Sequence, residues 1–253
     1  MSKELYKYET ITDLKDMLKK SGQKYAQNTA YQIRDENETY KYITHREVRD
    51  MIDALGTSLI EMGLKDKKIA VIGPNSYEWE IAYLAIVCGT GIVVPLDKSL
   101  PENELLSLIE RSGIEAIIYA KKYEETLKKA KCNIKISMNK TKHEDGIYSQ
   151  SQLIEEGKQR IQNGNRKFID AKINPDEMSI MLFTSGTTSQ SKIVALSHKN
   201  ICANLMAIVS VSDVNENDTF LSFLPLHHVF ECTVGFLFKR QSFCLSMVLL
   251  IRL

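Results

Sequence analysis

Residues 178–200 read MSIMLFTSGTTSQSKIVALSHKN, and no other stretch narrows so far what this chain can be. An apolar run at 180–183 has the composition of a buried strand and ends at Thr184. Residues 184–192 then hold six hydroxyls, one glycine and one lysine. Small side chains let the backbone fold back and aim successive N–H groups at an anion. The hydroxyls add donors, and Lys192 adds a mobile positive charge. A second apolar run at 193–196 makes the stretch the tip of a strand pair. Ser197 reads as the N-cap of a helix carrying Leu205, Met206, Ile208 and Val209. A Ser/Thr-rich hairpin tip that binds nothing has the same composition, so the residues alone leave both readings open.

A Walker-type phosphate loop is excluded by its own chemistry. That loop needs glycine before its lysine and a Ser or Thr after it to bind magnesium, whereas Ser191 and Ile193 flank Lys192. The stretch instead resembles the signature loop of the AMP-forming adenylating enzymes, the superfamily of acyl-CoA synthetases, firefly-type luciferases and peptide-synthetase adenylation domains. Their pattern is roughly TSGTTGxPKGV followed by SHxN; this chain has TSGTTSQSKIV followed by SHKN. Ser189 and Ile193 depart from it where glycine is common, and Ser191 where proline is common. The resemblance implies an α/β fold, a mostly parallel doubly wound sheet with flanking helices. It also implies that Thr184, Ser185, Gly186, Thr187, Thr188 and Lys192 hold the phosphates of ATP, which travels with Mg2+.

Elsewhere the chain alternates short β-rich runs with amphipathic segments. Residues 11–20 have helical spacing, 30–34 and 39–43 suggest a hairpin, and Thr44 opens a helix whose face is Val48, Ile52, Leu55, Leu59 and Met62. Strands are expected at 68–72, 91–96 and 115–119, each followed by a helix: 77–88, 101–111 and 121–131. Units of this size imply a mostly parallel sheet covered on both faces. GPNSYEW at 73–79 and GIVVPLD at 91–97 extend the resemblance toward long-chain acyl-CoA synthetases, and Trp79 and Pro95 read as packing and strand-end residues. The polar run at 163–166 divides an N-terminal lobe, 1–165, from the start of a second lobe, 166–238.

The net charge of +1 gives no field to attract nucleic acid. Lysines between 121 and 142 suit either peripheral membrane contact or a solvated face, and the interspersed Glu124, Glu125 and Glu144 favour the latter. Five scattered cysteines without metal-type spacing, a charged N-terminus and no apolar run of about 18 residues point to a reduced, cytoplasmic protein.

A second constellation follows the strand expected at 219–224: PLHHVFE at 225–231. A histidine at a strand end can orient a carboxylate or phosphate; a structural, hydrogen-bonded histidine is the lesser alternative, and a zinc site lacks a third ligand. The long-chain branch has LPLAHxFE here, so His228, Phe230 and Glu231 match and His227 replaces alanine. The resemblance places these three at the acyl pocket, with His228 as the catalytic or positioning group beside the path of the coenzyme A thiol. It implies ATP-dependent activation of a carboxylic acid, a long-chain fatty acid in the first instance, through an acyl-adenylate to acyl-CoA. Such enzymes are at least twice this long, and their adenine-binding motifs and mobile lysine-bearing domain have no counterpart here. Residues 239–253 have lost the resemblance. The expectation is a truncated product whose tail is not native to the fold and which does not turn over by itself.

Overall fold

A computed structural model describes residues 6, 8–34, 38–184, 192–214, 218–238 and 246–250, the last by backbone alone. The chain opens with helix α1 (Leu14–Lys24), the hairpin β1 (Thr29–Arg34) and β2 (Tyr40–Thr44), and helix α2 (His45–Glu61). Thr44 starts α2 through a capping box: its hydroxyl accepts the Glu47 N–H while the Glu47 carboxylate accepts the Thr44 N–H. Val48, Ile52, Leu55 and Leu59 form its buried face, as their spacing predicts.

The alternating part follows: β3 (Lys68–Ile72), α3 (Tyr77–Ala85), β4 (Ile92–Pro95), α4 (Glu102–Arg111), β5 (Ala116–Tyr119), α5 (Glu124–Lys128), β6 (Ile134–Ser137), β7 (Tyr148–Ser149) and α6 (Gln150–Gln162). Then come β8 (Met178–Thr184), β9 (Lys192–Ser197) and α7 (His198–Val211). These strands build one seven-stranded sheet in the order β7-β6-β5-β3-β4-β8-β9, parallel except for the β8–β9 pair. Strands from both sides of residue 166 therefore share one sheet. The expected parallel α/β architecture is the observed one. Its centre is dry: β5 and residues 69–72 of β3 are fully or almost fully buried.

Two expected helices are shorter than their spacing suggests. The first stops at Ala85 and passes into a wide turn, Ile86–Thr90, because the Thr90 hydroxyl takes the Ala85 carbonyl and the Gly91 N–H takes that of Ile86. Gly89 supplies the φ of +152° this exit requires. The second is reduced to Lys121–Tyr123 in 3-10 form and α5, with the Lys121 N–H drawn off to Asn139 Oδ1. Four lysines in this region form ion pairs, Lys128 with Glu125, Lys129 with Glu102, Lys131 with Glu110 and Lys140 with Glu144.

Helix α6 lies along α2 so closely that a Cβ on Gly157 would collide with the Ala54 carbonyl. A second sheet of four strands has the order β10-β11-β1-β2, where β10 is Thr219–Ser222 and β11 is Ser246–Leu250. The region expected to be a non-native tail thus contributes a strand that runs parallel to both β1 and β10. Helix α3 ties the two sheets together: Tyr31 of β1 donates to Glu80 at 2.6 Å, while Trp79 and Tyr83 stack and receive Phe236 edge-on. No described helix is long and apolar enough to cross a membrane.

Candidate functional site

In a parallel α/β sheet the free N–H groups, helix N-termini and connecting loops gather at the carboxyl ends of the strands. There, beyond β4 and β8, lies a cleft of about 280 Å³. One wall is Pro95, Leu96, Asp97 and Leu100, another is Leu182, Phe183 and Thr184, and the third is His227, His228 and Val229. A larger cavity of about 590 Å³ lies beside α1, α2 and residues 166–173, and three of its charged residues are engaged with its own wall. Arg166 pairs with Asp170 at 2.9 Å, and Lys15 donates to the carbonyls of Phe168 and Ala171. The chemistry favours the smaller cleft, which gathers residues from both sequence constellations.

Antiparallel pairing of β8 with β9 sets Thr184 directly opposite Lys192. The two ends of the hydroxyl-rich loop are therefore neighbours at the rim of the cleft. Ser185, Gly186, Thr187 and Thr188 lie outside the described residues, so of the expected phosphate ligands Thr184 and Lys192 are placed. The SHKN motif is architectural. Ser197 and Asn200 form a capping box that starts α7, and His198 is buried beneath it. His198 Nδ1 accepts the Leu14 N–H at 3.1 Å and Nε2 donates to the Val87 carbonyl at 3.1 Å. Those two bonds require the neutral ring, and burial pushes its pKa below the ordinary histidine value.

The histidine turn leaves β10 at Ser222. The His228 N–H donates to Pro225 O, and the Cys232 N–H then takes His228 O, beginning a wide helical segment, Glu231–Leu237. That helical rotation separates the expected pocket residues. His228 lines the cleft, whereas Phe230 is 62% exposed to solvent and the Glu231 carboxylate is buried, accepting from Ser222 Oγ at 2.9 Å. The structure thus brings Thr184 and His228 together but not Phe230 or Glu231.

Two residues to which the sequence reading gave no role complete the arrangement. Asp97 reaches His227 Nε2 at 3.2 Å, joining the loop after β4 to the histidine turn. Burial lowers the His227 pKa, with Asp97 opposing that effect. Partial burial works to raise the Asp97 carboxyl, but hydrogen bonds from Ser99 and the neighbouring His227 and His228 hold it below its usual value. Asn75, just beyond β3, contacts the same turn from below. Position was the available signal: Asn75 and Asp97 each follow a parallel strand at its carboxyl end. Among the described residues no cluster of His, Cys, Asp and Glu could hold a metal ion.

Comparison with known proteins places this geometry in context. The family described as AMP-binding enzyme matches residues 18–244. Long-chain-fatty-acid–CoA ligase 1 of Cavia porcellus is 25% identical over 254 residues, covering 90% of this chain and 35% of the ligase. Long-chain-fatty-acid–CoA ligase 6 of Homo sapiens is 27% identical over 217 residues, covering 79% and 31%. The chain therefore spans about a third of the length of these curated relatives. The solved structure of a long-chain-fatty-acid-CoA ligase from Archaeoglobus fulgidus superposes with a TM-score of 0.80 at 19% identity, over 99% of this chain and 49% of that one. At that identity the likeness concerns the fold.

Proposed function

The chain belongs to the AMP-binding enzyme family, and on that premise we propose that its cleft serves the ATP-dependent activation of a carboxylic acid, a long-chain fatty acid first of all. A carboxylate oxygen attacks the α-phosphorus of ATP, the bond to the bridging oxygen breaks, and pyrophosphate leaves. The sulfur of coenzyme A then attacks the acyl carbon and expels AMP. The observation that carries this reading is the convergence of Thr184, opposite Lys192, with His228 on one cleft at the carboxyl ends of β4 and β8.

Each side chain has a definite task in this reading. Thr184, Ser185, Gly186, Thr187, Thr188 and Lys192 neutralise the charge that grows on the departing pyrophosphate, while Mg2+ arrives with the nucleotide as part of the substrate. His228 orients the acid carboxylate. Leu100, Leu182, Phe183 and Val229 give the first carbons of an acyl chain an apolar wall. Exposed Phe230 meets the chain from the open side of the turn, and Glu231 braces the turn from within.

A second reading has its own support. In this reading the 253 residues taken alone bind nucleotide without sustained turnover, and what favours it is that the chain spans about a third of its relatives' length. Equilibrium dialysis of labelled ATP against the chain and its Lys192→Ala and Thr184→Ala variants tests the shared premise. Retention that drops in the variants supports it, and equal retention by all three overturns it. Measuring AMP release with palmitate and coenzyme A separates the two readings, since continuous release by this chain defeats the binding-only one.

A further inference from the structure

Within the turn that carries His227 and His228, Leu226 is the buried side chain, 2% exposed, and it anchors only the residue just before the histidines. Phe223 is 70% exposed and Leu224 36%, so burial does not fix its first half. One side chain does. Asn75 Nδ2 donates to Leu224 O at 2.6 Å and to Ser222 Oγ at 2.8 Å, while Asn75 Oδ1 accepts the Leu226 N–H at 3.3 Å.

The orientation of that amide is dictated by its partners. A backbone carbonyl can only accept and a backbone N–H can only donate, so flipping the group would set like against like on both sides. A hydroxyl could donate once and accept once, but only an amide has the second N–H that also reaches Ser222 Oγ. Asn75 is itself well anchored, lying between the end of β3 and Ser76, the N-cap of α3, whose hydroxyl accepts from Trp79 N–H. Ser222 relays the contact onward by donating to Glu231. A single residue at the carboxyl end of β3 therefore grips the turn at three successive points ahead of the two histidines.

We infer that Asn75 is a positioning residue that fixes the turn presenting His227 and His228 to the cleft, so that His228 acts on the acid only while Asn75 holds the loop. The catalytic part rests on the reading that the cleft activates a carboxylic acid; the mechanical part does not. Asp97 completes the hold from the opposite wall through His227, the other charged and titratable groups facing that ring being His228 and Lys98.

The chain reports on this through its own five histidines, His45, His143, His198, His227 and His228. Their ring signals are followed by NMR across pH in the full chain and in Asn75→Ala. Release of the turn exposes His227, so its midpoint rises toward the ordinary histidine value and its contact with Asp97 disappears, while the His228 signals move. Buried His198 and the His143 ring, bonded to Glu156 at 3.0 Å, stay where they are, which separates a freed turn from general unfolding. Unchanged His227 and His228 signals in the folded variant overturn the proposal. If Asn75→Ala does not give the folded spectrum, isosteric Asn75→Asp decides: it keeps the acceptor for Leu226 but loses both donors, and an unmoved His227 in that variant refutes the assignment. Binding of labelled palmitate with ATP by the unaltered chain is measured alongside. Its absence sinks the functional reading, while the titration still judges Asn75.

Discussion

His198 and His228 each sit in a motif that follows a strand, yet their surroundings have little in common. His198 is 1% exposed, spends both ring nitrogens on backbone groups and joins α1 to the wide turn before β4. His228 stands exposed at the rim of a cleft, and its turn is braced by Asn75 and Asp97 from the loops after β3 and β4, besides the burial of Leu226. A buried ring with every polar atom satisfied stabilises the fold and has no lone pair to offer a substrate. An exposed ring on a braced turn contributes little stability and keeps its chemistry available.

The contrast breaks most visibly at the anchor of the second turn. Phe236→Ala removes an aromatic ring packed edge-on against Trp79 and Tyr83, and should cost about 3–5 kcal/mol in urea unfolding. A cost below about 1 kcal/mol would mean the segment after His228 is not held by α3. His198→Ala comes next. It leaves the Leu14 N–H and the Val87 carbonyl unpaired in the interior, at about 1–3 kcal/mol for such a group, and should lower the denaturation midpoint of the fold without a selective effect on ATP retention.

Acid should narrow that second difference. The folded pKa of His198 is depressed, so its contribution is complete above the unfolded value of about 6.5 and is lost as pH falls toward the folded value. The stability gap between the unaltered chain and His198→Ala should therefore shrink at a slope of at most about 1.4 kcal/mol per pH unit. Asp53, pushed up to about 6 by burial, runs the other way, but it is common to both proteins and cancels in the gap. A gap that widens on acidification would show that the ring is charged in the fold. The smallest effect belongs to His228→Ala, which should change stability by less than about 0.5 kcal/mol. A loss of several kcal/mol in the same urea titration would make His228 a structural residue and erase the contrast.

Much of the architecture was visible before folding was considered. The helix start at Thr44, the apolar face of α2, the strands at β3, β4 and β5, and the β8–β9 pair all follow from periodicity and end signals within a few residues. The shortfalls have local causes that such patterns do not carry. Helix α3 ends early because Thr90 and Gly91 capture its last carbonyls, and β6 and β7 gave little signal, being four and two residues long. For the site, the residue types at 184–192 and 225–231 singled out two stretches that meet at one cleft through Thr184, His227 and His228. They did not separate His228 from Phe230 and Glu231, because the helical rotation after the turn sends neighbours in sequence to different surroundings.

Residue order alone was enough for the individual helices and strands and for the α/β class, because periodicity and end signals act between near neighbours along the chain, whereas pairings such as Val93 with Ile180 came with folding. Which histidine is sealed inside and which faces the cleft came only with folding. Leu14 meets His198, and Asn75 meets Leu224, across separations of 184 and 149 residues. Hydrogen bonds act over about 3 Å, so partners that far apart in sequence become readable only once the packed sheet has brought them into reach.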